Sequence, residues 1–198
     1  MNVALSRNRY LVALPDQLGD LRNLRSFACN DCKLAKIPVK LHALTSRLRD
    51  LDLSTNAITS LPTTIGNIVS LESLYLSRNR LVELPASIGH LTRLQELCVE
   101  ENSIKVVCPE LGRCQRLRML NLHLNGLSNL PDELGKLGDL ETLTLEGNAH
   151  LKHISDAFSG LTSLQRLTLD VELLGSFSTT LLSWATTLKS LEFDGGSR

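Results

Sequence analysis

One spacing constrains this chain more than any other property: asparagines stand at Asn56, Asn79, Asn102, Asn125 and Asn148, 23 residues apart each time. Around each Asn runs the same frame, best seen in Leu71 to Arg93, which reads Leu-x-x-Leu-x-Leu-x-x-Asn-x-Leu-x-x-Leu-Pro-x-x-Ile-Gly-x-Leu. A period of this length predicts one supersecondary unit per repeat that cannot bury its apolar face alone and must stack on its neighbours. In the type repeat, Leu71, Leu74, Leu76, Leu81, Leu84, Ile88 and Leu91 point to the shared core. Asn79 stands where the chain leaves the strand. Its amide is placed to pair backbone groups that would otherwise cost about 1–3 kcal/mol each if buried alone. Pro85 presets a bend, a short helix over Ala86–Ile88 follows, and Gly89 ends it by allowing a close backbone passage. Strand, turn and helix therefore alternate along the chain.

The frame extends beyond the regular repeats. Val3, Leu5, Asn8 and Leu14-Pro15 match turn one, and Phe27, Cys29 and Cys32 match turn two, with Cys32 at the Asn position. Its convex segment is expected over Lys40 to Arg47. Turn five departs at Val107-Cys108-Pro109, where proline arrives one residue late, so its bend is expected to be locally altered. Turn seven carries an insertion that places Leu151 and Ile154 inward. Turn eight has Glu172 in place of Asn, followed by a helical segment over Thr179 to Thr187 with Trp184. Leu188, Leu191 and Phe193 form a last strand, and residues 195–198 read as a frayed tail. One domain over residues 1–198, of about eight turns, is expected.

These motifs resemble the intracellular leucine-rich repeat proteins of the typical 23-residue class, such as the Ras-associated scaffold group and the plant intracellular Ras-group-related proteins. The resemblance covers Leu5 to Phe193 and rests on the shared Leu-Pro-x-x-Ile-Gly-x-Leu. It implies an α/β fold, a right-handed leucine-rich-repeat solenoid or horseshoe, with a concave parallel β-sheet and short helices on the convex side. It also implies recognition of another protein on the concave sheet, and it allows a cysteine at the Asn position, as at Cys32.

Composition fits and narrows this. Apolar residues make up 42% of the chain and aromatic residues 4%, so leucine has to build the core, and base stacking has few rings to use. Net charge is zero, which weighs against nucleic acid. No apolar run reaches the roughly 18 residues of a membrane span, and Met1 to Tyr10 is too polar for a signal peptide. The five cysteines are odd in number and lack the paired clusters that cap secreted repeat proteins. No Asn-x-Ser/Thr sequon occurs. A cytoplasmic location is expected, with nucleus and organelles open.

Cys29-x-x-Cys32 has the spacing of half a metal site or a redox pair. Its register favours structure instead, because Cys29 replaces a strand leucine and Cys32 a ladder asparagine. No phosphate loop, His-Glu-x-x-His or Gly-x-Ser-x-Gly occurs, and the histidines fall mostly on turns. No enzyme activity, cofactor or metal is expected.

Strand residues between the inward leucines must line the concave sheet. There and on the rim stand ten carboxylates, Asp31, Asp50, Asp52, Glu96, Glu100, Glu101, Glu146, Asp170, Glu192 and Asp194, against Arg7, Arg78 and Arg166. The face carries about −7 on a neutral chain, leaving about +7 elsewhere. Solvation of an exposed sheet would account for the carboxylates alone. In the middle, however, Tyr75, Cys98, Met119 and His123, with Leu124 at the rim, are large or soft where burial does not require them. The candidate partner-binding residues are therefore Asp50, Asp52, Tyr75, Glu96, Cys98, Glu100, Glu101, Met119, Asn121 and His123. The partner would be a protein with a basic or mixed surface. Cys98 is expected to be open to alkylation, whereas Cys29 and Cys32 resist it. The function expected is a non-catalytic adaptor, scaffold or assembly subunit, with a regulatory domain of a longer signalling enzyme as the alternative. Both terminal turns lack a polar cap, so their open edges could pair with other chains.

Overall fold

A computed structural model describes residues 1–44, 47–176, 184 and 186–194. Nine strands form one parallel sheet in strict chain order: β1 Asn2–Ala4, β2 Ser26–Ala28, β3 Asp50–Asp52, β4 Ser73–Tyr75, β5 Glu96–Cys98, β6 Met119–Asn121, β7 Thr142–Thr144, β8 Arg166–Asp170 and β9 Ser190–Asp194. The register stacks equivalent positions, so Leu51, Leu74, Leu97, Leu120 and Leu143 form one inward column, all buried. On either side of that column lie Asp50, Ser73, Glu96 and Met119, and Asp52, Tyr75, Cys98 and Asn121, as the alternation of a strand demands. This is the leucine-rich-repeat solenoid.

The convex segments are tighter than the expected helices. They are 3-10 turns, such as Thr63–Asn67, Ala86–His90 and Asp132–Lys136. Five residues between a fixed proline and the return leave room for i→i+3 bonding, as in Ile88 N–H to the Pro85 carbonyl at 2.9 Å. Gly89 lies within its turn because successive convex segments nearly touch: a Cβ there would come within 2.4 Å of the Glu110 carbonyl oxygen. The bend of turn five is not altered. Cys108 takes the place of proline at φ −70°, ψ 138°, against −67° and 146° for Pro85, and Pro109 simply opens the 3-10 turn Pro109–Arg113. Those angles lie in the extended region open to most residues, so proline favours the bend without being necessary to it.

The asparagine ladder forms as the spacing predicts. Asn79 Nδ2 donates to the carbonyls of Leu53 (3.0 Å), Leu76 (2.9 Å) and Ser77 (3.3 Å), while its Oδ1 accepts from Ile58 N–H (3.0 Å). Asn102 and Asn125 repeat the set one turn further on. At Cys32 the thiol lies 3.4 Å from the Leu5 carbonyl and 3.6 Å from Cys29 Sγ. Asn8 and Leu5, expected in the ladder and the core, are exposed instead. Among the described residues strand β1 pairs with β2 and stands at the edge of the sheet.

Leu151 and Ile154 are buried as the turn-seven insertion requires. Trp184 is buried too, its indole N–H donating to the Phe158 carbonyl at 2.9 Å. Most of the segment expected to be helical over Thr179 to Thr187, part of the convex segment near Arg47, and the tail 195–198 lie outside the described residues.

Candidate functional site

The concave face gathers its side chains into a hollow over β3 to β5 and the turns that follow them. Asp52, Ser54, Thr55, Tyr75, Ser77, Arg78, Cys98 and Glu100 line an open depression of about 510 Å³. Four of the candidate residues meet there: Asp52, Tyr75, Cys98 and Glu100. Each comes from an outward strand position or from the residue two further on, so the register alone sets their spacing.

Several of the polar groups are already engaged. Asp52 accepts from Asn30 Nδ2 on one oxygen and from Ser54 N–H at 3.0 Å on the other. The Tyr75 hydroxyl donates to Glu96 Oε2, and burial, reinforced by that bond, pushes its pKa up to about 12. Arg78 Nε lies 2.9 Å from Glu101. Glu100 differs: its Oε2 is buried with no hydrogen-bond partner among the described residues.

Cys98 requires a correction. Its thiol is buried, 9% exposed, although it belongs to an outward column and not to the leucine core. Burial, with Glu100 and Glu96 nearby, pushes its pKa up to about 12, so it is a neutral floor to the hollow and not an alkylation target. In the register of the sheet Cys98 is a small side chain flanked by the larger Tyr75 and Asn121 on the neighbouring strands.

The other candidates lie outside the hollow. Met119, Asn121 and His123 follow on β6 and its turn, half-buried, with His123 Nδ1 3.1 Å from a Glu146 carboxylate oxygen and Asn121 Oδ1 accepting His123 N–H at 3.1 Å. Asp50 faces away toward Arg49, and burial together with Glu72 raises its pKa. Ser54, Ser77 and Thr55, which complete the lining, are small polar residues that nothing in the spacing distinguishes. Among the described residues no group of three or more His, Cys, Asp or Glu could hold a metal ion.

Comparison with known families supplies the remaining observation. A model described as a leucine-rich repeat region matches residues 16–110, and a leucine rich repeat model matches 92–149 and 115–174. The chain belongs to the leucine-rich repeat family. No curated protein sequence matches it. Among solved structures, this leucine-rich repeat chain is similar to an internalin of Listeria monocytogenes, at 24% identity and a TM-score of 0.76, over 98% of this chain and 54% of the internalin. It is similar also to the ectodomain of the plant membrane receptor kinase GASSHO1/SCHENGEN3 of Arabidopsis thaliana in complex with Casparian strip integrity factor 2. That match has 25% identity and a TM-score of 0.70, over 91% of this chain and 28% of the receptor's. A third is the plant peptide hormone receptor RGFR1 in complex with RGF2, at 22% identity and 0.70, over 98% and 39%. The chain thus spans about half the length of the internalin and less of the receptors. Leucine-rich repeat proteins are typically non-catalytic modules for protein–protein interaction, and no described helix is long and apolar enough to cross a membrane.

Proposed function

We propose that the chain is a non-catalytic adaptor or scaffold module that holds a basic or mixed segment of a partner protein on its concave face, centred on the hollow at Tyr75, Cys98 and Glu100. The observation that carries this reading is the open depression of about 510 Å³ in which Asp52, Tyr75, Cys98 and Glu100 meet. A lysine or arginine side chain entering it would lie between the Asp52 and Glu100 carboxylates, and the Tyr75 ring supplies a face for the cation. Met119 and His123 extend the contact along the sheet, and Glu96 and Glu101 form an acidic rim that speeds encounter. Two neighbours in fold, the receptors solved with Casparian strip integrity factor 2 and RGF2, hold protein ligands. Thiols used as buried apolar groups suit a reducing compartment, and we place the module in the cytoplasm.

A second reading, a regulatory domain of a longer signalling enzyme, draws on the receptor kinase among the neighbours, whose chain is several times longer than the matched part. The mass of the endogenous protein separates the two.

Selection of displayed random peptides on the immobilised protein tests the concave site. Sequences rich in arginine or lysine should be enriched, and Tyr75→Ala or Glu100→Gln should weaken them by more than about 1 kcal/mol without lowering the melting temperature. Enrichment indifferent to both substitutions would overturn the proposal.

A further inference from the structure

The positive charge that balances the concave face is not spread evenly. Between each convex turn and the next strand the chain runs through positions that form columns of their own, and one of these reads Arg47, Ser70, Arg93 and Arg116, spaced by 23 residues, with the serine buried and the three arginines exposed. Beside it stand Arg25 and Arg49, and Arg113 lies at the far end. Two hollows open along this flank. The first, of about 530 Å³, is lined by Arg25, Arg47, Arg49 and Arg93 with Ser70 and Asp50. The second, of about 320 Å³, is lined by Arg93, Arg113 and Arg116 with Thr92 and Gln115. Arg93 lines both, so they meet in one trough.

Pairing within the protein leaves most of these cations free. Among the described residues Arg49 lies 3.2 Å from Glu72, whereas Arg25, Arg47, Arg93, Arg113 and Arg116 are in no ion pair and are exposed. Ser70 is anchored by its bond to the Leu48 carbonyl at 2.6 Å. Adjacent turns of a parallel sheet repeat at about 4.8 Å, which sets Arg93 and Arg116 side by side at the reach of one tetrahedral anion. Five unpaired guanidinium groups around two linked hollows exceed what one carboxylate would occupy. A phosphate brings nearly two charges and three acceptors, and the arginine fork matches it in bidentate fashion.

We propose that this trough binds a protein segment bearing two closely spaced phosphate groups, one per hollow, independently of the concave site. A single-stranded nucleic acid is a poorer match because no aromatic side chain lines either hollow. A membrane surface is poorer because the cations line recesses without apolar side chains to insert.

Fluorescence anisotropy on the whole chain decides. The probes are a synthetic Gly/Ser peptide with two phosphoserines one residue apart, its unphosphorylated counterpart, phosphatidylserine vesicles and a single-stranded oligonucleotide. The phosphopeptide should bind at least roughly tenfold tighter than each of the others, weakening as salt rises. Arg93→Ala and Arg116→Ala should each cost about tenfold, Arg93→Lys should recover only part, since lysine lacks the fork, and Tyr75→Ala should change nothing. Equal binding of the unphosphorylated peptide, indifference to Arg93→Ala, or tighter binding of vesicles or oligonucleotide overturns the proposal. Because the arginine side chains are exposed, unchanged melting curves confirm that the variants at Arg93 and Arg116 are folded.

Discussion

Turns three to six and turn one carry the same sequence frame, yet the frame does different things in the two regions. In the middle, Asn79 is buried and completes four hydrogen bonds, two of them to the turn before it; in turn one, Asn8 is exposed. Likewise Leu97 is fully buried while Leu5 is 39% exposed. The difference teaches that a repeat residue has no stability of its own to contribute. Its value comes from the neighbouring turn against which it packs or whose carbonyl it reaches, as expected for a quasi-one-dimensional solenoid.

The sharpest way to break this comparison is to truncate the same position in both regions. Leu97→Ala should destabilise by about 2–5 kcal/mol, and Leu5→Ala by less than about 1 kcal/mol, in chemical denaturation. Equal losses would show that turn one is packed as tightly as the centre. Alkali probes the interior next. Cys29, in the second turn, and Cys98 and Cys114, in the middle, are pushed by burial from 9.0 to about 12. The native state therefore keeps protons that the unfolded chain loses above pH 9. Stability should be independent of these thiols below that value and fall above it, by about 1.4 kcal/mol per pH unit for each thiol. Replacing Cys98 by Val should remove one such share of the slope in equilibrium unfolding between pH 9 and 10.

Asn79→Ala should cost about 1–3 kcal/mol, since buried carbonyls of two turns lose their donor, while Asn8→Ala should stay within about 0.5 kcal/mol. A parent-like melting temperature for Asn79→Ala would remove the ladder from the account of stability.

Much of this was legible in the residues. The leucine frame, at spacings of 23 or 24 residues, located every strand from β1 to β9, and strand alternation placed Asp52, Tyr75, Cys98 and Asn121 in one outward column as observed. What alternation does not convey is overlap between neighbours of different size. Cys98 points outward but is covered, because burial depends on the side chains flanking it across strands as well as on its own parity. Nor does the pattern report that Glu100 keeps one oxygen unpaired, which is a matter of rotamers. The arginine trough did leave a signal, in the spacing of Arg47, Arg93 and Arg116 at the same period as the leucines, in columns that strand alternation does not cover. The expected distortion at Cys108 failed for another reason: extended dihedrals are open to many residues, so the missing proline removes a preference and not a requirement.

The finest difference between repeats lies three residues after the strand in turns one to seven, where the chain turns through the left-handed region. Arg7, Asp31, Thr55, Arg78, Glu101 and Leu124 all adopt φ between 49° and 61°, and among the described residues only turn seven uses glycine, Gly147 at 77°. A side chain there costs about 1 kcal/mol or more, and a β-branched one is the least suited. Gly147 has a second constraint, because a Cβ would meet Leu124 Cδ2 at 2.7 Å and the Leu124 nitrogen at 3.0 Å. Gly147→Ala should therefore destabilise by about 1 kcal/mol or more, combining backbone strain with a contact that a neighbouring leucine has to yield. Thr55→Asn should act in the opposite direction, with a gain of about 0.5–1 kcal/mol, because asparagine tolerates this conformation and Thr55 is exposed. Denaturant midpoints at unchanged slope would measure both. A loss in Thr55→Asn would mean that the threonine methyl at the edge of the hollow contributes more to the concave surface than its backbone strain costs.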